Sequence, residues 1–127
     1  MRSLELSEQK KLARCLNRSD ILWTATANGG LRVGATGGQM KASGVQDGVP
    51  DVLVFTPIGE YLGAAIEMKS PKEKRPAKGR RWASCVSSEQ KEWLRRLELA
   101  GWAVNVCYSR EEAVSWLRSL GYPVRWA

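Results

Sequence analysis

With 127 residues the chain has room for one compact domain built on one core and serving one site. Its 43% hydrophobic and 26% charged residues are the proportions of an ordinary globular protein, which excludes a disordered tail or a membrane-embedded bundle. There is no histidine and there are only three cysteines, Cys15, Cys85 and Cys107, odd in number and widely spaced. Ser–His and Cys–His catalysis, histidine zinc sites and a disulfide framework are thereby removed, and the cysteines read as reduced thiols. The net charge of +7 favours a polyanionic partner, nucleic acid first. No apolar run is long enough to span a membrane, and the first residues lack the apolar core of a secretory signal, so an intracellular protein is expected.

In chain order, Leu12, Cys15 and Leu16 share one face of an expected helix over Leu4 to Leu16, with Glu8 one turn earlier on that face. Ile21 to Thr26 is β-branched and aromatic and predicts a strand ended by the Asn28-Gly29-Gly30 turn; Arg32 to Gly48 predicts a loop with one helical turn at most. Val52–Phe55 and Tyr61–Ile66, separated by Thr56-Pro57-Ile58-Gly59-Glu60, predict an antiparallel hairpin. After Lys69 comes a stretch where Lys72, Lys74, Arg75, Lys78, Arg80 and Arg81 alternate with Pro71, Pro76 and Gly79, expected as a mobile basic loop that orders on nucleic acid. Ser87-Ser88-Glu89-Gln90 has the spacing of a capping box and opens a helix that Gly101 stops. Trp102 to Tyr108 reads as a strand, and Ser109-Arg110-Glu111-Glu112 opens a last helix closed by Gly121. Helix, strand, hairpin, helix, strand, helix implies an α/β fold with a mixed sheet and a single domain over residues 1–127.

Asp51 opens one predicted strand and Glu67 closes its hairpin partner, so antiparallel pairing brings both carboxylates to one end of the sheet. Hard oxygens so placed suit Mg²⁺ or Mn²⁺, which retain waters and take phosphate oxygens as further ligands. Lys69, two residues past Glu67, projects from the same face. Taken singly, Asp51 is a turn residue after Pro50, and Glu67 with Lys69 is a surface ion pair. The apolar runs Val52-Leu53-Val54 and Ala64-Ala65-Ile66 directly beside these charges argue instead for a site.

Gly48-Val49-Pro50-Asp51, then Ile66-Glu67-Met68-Lys69, then Gln90-x-x-Trp93 resembles the VRR-NUC (virus-type replication-repair nuclease) branch of the PD-(D/E)xK nucleases. Further likeness lies in Asn28-Gly29-Gly30, Lys41-Ala42-Ser43-Gly44 and Leu97-x-x-Ala100-Gly101-Trp102, spanning about Glu8 to Leu117. The resemblance implies a restriction-endonuclease-like core, a mixed β-sheet flanked by helices, in which Asp51, Glu67 and the Met68 carbonyl hold the metal. Lys69 is then the catalytic lysine and Gln90 a polar group near the nucleophile or phosphate, although its capping-box position explains it equally. Glu8 resembles the acidic residue on the first helix of this fold and stands as a further metal ligand or as a plain surface glutamate. Asn28 is read as turn chemistry rather than a site residue. Trp82 either stacks on an unpaired base or packs locally.

The function these residues imply is metal-dependent hydrolysis of DNA, expected on branched substrates such as four-way junctions and by a homodimer, with Lys72, Lys74, Arg75, Lys78, Arg80 and Arg81 on the nucleic acid. A monomeric flap or single-strand nuclease and a non-catalytic DNA-binding component of a larger phage or repair assembly are the alternatives.

Overall fold

The computed structural model describes residues 3–26 and 37–127; the Asn28-Gly29-Gly30 turn lies outside the described residues. Helix α1 (Ser3–Asn17) buries Leu12, Cys15 and Leu16 at the spacing that puts them on one side. Among the described residues, strand β1 (Trp23–Ala25) and helix α2 (Gly37–Ala42) come before the hairpin, and α2, at six residues, is longer than the one helical turn expected there. Next come β2 (Val52–Val54), β3 (Ala64–Met68), α3 (Ser88–Leu99), β4 (Ala103–Cys107) and α4 (Arg110–Leu120).

Both long C-terminal helices start at the serines expected. The Ser87 side chain accepts from the Gln90 backbone N–H while the Gln90 side chain returns to the Ser87 N–H, and Ser109 accepts from the Glu112 N–H. Gly121 closes α4 at φ 111°, backbone that a residue with a Cβ resists. The sheet order is β1-β2-β3-β4, with β1–β2 and β2–β3 antiparallel and β3–β4 parallel. A parallel neighbour requires a crossover, and α3 supplies it.

The two faces of β3 explain its uniformly apolar-looking sequence. Ala64, Ile66 and Met68 join Val52 and Val54 in a core with Leu12 and Leu16 of α1 and Val114 and Leu117 of α4. Ala65 joins Val104, Val106 and Leu94 in a second core on the α3 side. All five β3 residues are buried, and three helices flank the sheet, the mixed α/β arrangement of the restriction-endonuclease-like fold.

Two expectations need correction. Tyr61 and Leu62 are not hairpin strand: Tyr61 folds back onto Ile58, the Leu62 N–H goes to the Gly101 carbonyl, and pairing begins at Val54 with Ala64. The strand instead runs on to Met68, because β4 pairs with it as far as Cys107, so Glu67 stands inside β3 rather than at its close. The basic stretch is not an unstructured excursion either. Trp82, Ala83, Cys85 and Val86 pack into the second core, and Arg75 and Arg81 tie the segment to α4 and α3. The three cysteines are free thiols, and no described helix is long and apolar enough to cross a membrane.

Candidate active site

The hairpin register assembles the site. Val52 faces Ile66, so the next position places Asp51 opposite Glu67, and directly opposed residues of an antiparallel pair share a face. Asp51 Oδ2 accepts the Met68 N–H at 2.8 Å, so the carboxylate extends the ladder one residue past the end of β2. By the two-residue period Glu67 and Lys69 turn to the α3 side, away from the Ile66 and Met68 side chains. The three charged residues are only 6%, 2% and 4% exposed for Asp51, Glu67 and Lys69, which removes the surface ion-pair reading.

Burial, and next the Asp51 carboxylate, push the Glu67 carboxyl up to about 9, with Lys69 opposing. Asp51 is raised as well, by burial first, against the pull of the Met68 N–H. Like charges about 4 Å apart at an effective dielectric of about 20 repel by about 4 kcal/mol. A hydrogen bond returns about 1 kcal/mol net, so ionising both carboxyls costs more than one donor offsets. The two carboxyls lie within hydrogen-bonding reach of each other, a contact that exists only while one of them carries a proton. With both ionised, Glu67 Oε1 is buried with no donor. An oxygen pair in that condition fits a hard divalent cation. Among the described residues no three acidic or thiol side chains converge on one point; two carboxylates completed by backbone, water and phosphate oxygens are a donor set that would suit Mg²⁺.

Gln90 both closes the capping box and reaches the charged pair with one amide. Its Oε1 accepts from the Ser87 N–H at 2.9 Å and from Lys69 Nζ at 3.1 Å, and its Nε2 donates to Glu67 Oε2 at 3.0 Å. Because the Ser87 N–H is unambiguously a donor, the oxygen must face it, and the NH₂ is thereby turned to the carboxylate. Lys69 Nζ is 3.6 Å from Glu67 Oε2. The capping box is thus the support that aims Gln90 into the site.

Glu8 is not brought to this cluster. Its Oε1 accepts the Arg110 N–H at 2.8 Å and its Oε2 pairs with Lys11 at 3.0 Å, tying α1 to the start of α4. The residue of α1 whose charge acts on both Asp51 and Glu67 is Glu5, which is buried. Its signal was in the sequence, since Glu5 lies three residues before Glu8 and seven before Leu12, on the same helical stripe. Arg75 and Arg81 are held by Glu112 and Glu98, whereas Lys72, Lys74, Lys78 and Arg80 are exposed along the segment that begins just after Lys69. Trp82 is half-buried in the second core with the Arg81 guanidinium over its ring, so local packing holds it. Asn28 lies outside the described residues.

Comparison with known proteins bears on the fold and the family. A solved structure described as a VRR_NUC domain protein superposes with a TM-score of 0.66 at 18% identity, covering 95% of this chain and 91% of that one, a likeness of fold. No curated protein matches the sequence. The family model for the VRR-NUC domain matches residues 4–111, a span that contains Asp51, Glu67, Lys69 and Gln90, and the chain belongs to that nuclease-type family.

Proposed function

We propose that the chain is a metal-dependent nuclease that hydrolyses phosphodiester bonds in DNA. The observation that carries the reading is the buried Asp51–Glu67 pair, with an undonated oxygen, beside a lysine held in place by Gln90. Asp51, Glu67 and the Met68 carbonyl would hold Mg²⁺ or Mn²⁺, with Glu5 rather than Glu8 as the α1 carboxylate near them. Such a cation, when bound, acidifies water and neutralises charge on the phosphate. Lys69 keeps a fixed positive charge where charge builds on the phosphate oxygens. Gln90 holds that lysine and one oxygen of Glu67 in register, and Lys72, Lys74, Lys78 and Arg80 give the substrate backbone a basic rim.

We place the preferred substrate among branched DNA, four-way junctions above all, cut by a homodimer. One site cuts one strand, and paired cuts on symmetry-related strands call for two-fold related sites. Leu22, Phe55, Leu62 and Leu99 are exposed at the end of the sheet opposite Asp51, an apolar surface of the kind that subunits cover. The test is incubation with Mg²⁺ or Mn²⁺ and a labelled panel of duplex, single-stranded, flap and four-way DNA, alongside light scattering over a dilution series. Cleavage abolished by chelator and by Asp51→Ala, with DNA binding retained, is the expected result. A parental rate in Asp51→Ala overturns the site. A monomer without preference for junctions returns the function to flap or single-strand cutting, and binding without cutting leaves a DNA-binding component.

A further inference from the structure

The segment 70–86 leaves β3 directly after Lys69 and ends at Ser87, the N-cap of the helix carrying Gln90, so both of its ends are fixed at the site. Between them it is anchored twice. Arg75 donates from both terminal nitrogens to Glu112 at 2.9 and 2.5 Å, and its guanidinium lies 4.1 Å from the centre of the Tyr108 ring. Arg81 donates likewise to Glu98 at 2.7 and 2.6 Å and stacks 4.5 Å from the Trp82 ring centre. A guanidinium with its fork on a carboxylate and its face on a ring gives up both to reach anything else.

Between the two anchors the chain makes an exposed turn, Pro76-Ala77-Lys78-Gly79-Arg80, closed by the Arg80 N–H on the Ala77 carbonyl at 2.9 Å with Gly79 at φ 81°. Lys78 and Arg80 are exposed and have no acidic partner among the described residues. We infer that this turn is a contact for the phosphodiester backbone of DNA, in which Lys78 and Arg80 touch phosphates while Arg75 and Arg81 are positioning residues that hold the turn against α4 and the C-terminal part of α3. Each Arg–Glu anchor is neutral as a pair and adds no usable charge; it removes the freedom that a loose basic loop would lose on binding. The inference rests on the nuclease reading, which brings a phosphodiester to Lys69, one residue before the segment begins.

The experiment is equilibrium binding of the intact chain to a fluorescent DNA duplex across a potassium chloride series, in chelator so that nothing is cut. Lys78→Ala and Arg80→Ala should each flatten the slope of log affinity against log salt by about 0.9. Glu98→Gln should weaken binding with the slope unchanged. Arg81→Glu should weaken it further, and the exchanged pair Arg81→Glu with Glu98→Arg should return to within about twofold of the parent. Unchanged slopes for Lys78→Ala and Arg80→Ala overturn the inference, as does tighter, steeper binding by Glu98→Gln, which would mean that a released Arg81 itself meets phosphate. If the parent binds and cuts DNA while these variants match it, only the turn is misassigned. A parent that neither binds nor cuts removes the nuclease reading as well.

Discussion

Glu67 shows how far a single residue can be set against its own surroundings. Its carboxyl is buried beside Asp51 with one oxygen undonated, so the metal-free protein at pH 8 must take up a proton there that the unfolded chain does not hold, a cost that an amide of the same shape avoids. Glu67→Gln should abolish cleavage yet raise stability by on the order of 1–2 kcal/mol, about 3–8 °C in melting temperature, in chelator at pH 8. Scanning calorimetry checks it, and a lowered melting temperature would mean that the carboxylate is held by attractions the structure does not show. Gln90 needs a pair of variants. Ser87→Ala removes one capping bond and should cost about 1 kcal/mol with modest loss of turnover, whereas Gln90→Ala frees Lys69 and Glu67 together and should lose turnover more than tenfold for a similar loss of stability. Urea melts and single-turnover rates on one substrate separate the two effects. The sequence made Asp51, Glu67 and Lys69 legible because strand alternation places them on one face, but it left Gln90 divided between cap and site. Nothing in residue spacing says that one amide can serve both.

At the scale of elements, capping and turn chemistry were readable and long-range ties were not. Ser87, Ser109 and Gly121 announce their helix ends locally, while Glu8 bonding to the Arg110 N–H joins residues whose proximity depends on how α1 and α4 pack. The basic segment reads as a loose loop for the same reason, since Glu112 and Glu98, which tie it down, belong to helices that follow it. Gly48 illustrates a tertiary demand written as a single letter. At φ 89° it packs so closely on α3 that a Cβ would meet the Glu89 carbonyl carbon at 2.6 Å, one residue from Gln90. Gly48→Ala should cost about 2–4 kcal/mol in urea unfolding. Gly44, with similar backbone at φ 107° but open space around it, should cost about 1 kcal/mol. Equal costs would assign the whole effect to backbone conformation. The Arg75 anchor also has a pH signature. Its hydrogen bond holds the Glu112 carboxyl below the usual value near 4.5, so the stability it adds is present above pH 4.5 and is lost as the pH falls through the lower folded-state value. The gap in melting temperature between the parent and Glu112→Gln should therefore close on acidification below that point; a gap constant from pH 3 to 7 would show that the pair contributes nothing as an ion pair.

For the whole molecule, charge and composition point to a polyanionic partner, and the topology sets the charged site apart from an apolar end. The carboxylate pair and Lys69 stand at one end of the sheet, and Leu22, Phe55, Leu62 and Leu99 lie exposed at the other. Composition could not have divided the poles, because it carries no direction. The parallel pairing of β3 with β4 has a consequence in time. A short turn suffices to zip β2 onto β3 and so press Asp51 against Glu67, whereas β4 and Gln90 join only after the whole 69–102 span has closed, and closure of a span grows costlier with its length. Along the route to the native state the two acids thus meet before Gln90 arrives to donate to one of them. Glu67→Gln should accordingly accelerate refolding at low urea, beyond slowing unfolding, and stopped-flow chevrons would register it as an upward shift of the folding limb. An unmoved limb would mean that the acids approach each other only after the barrier is crossed.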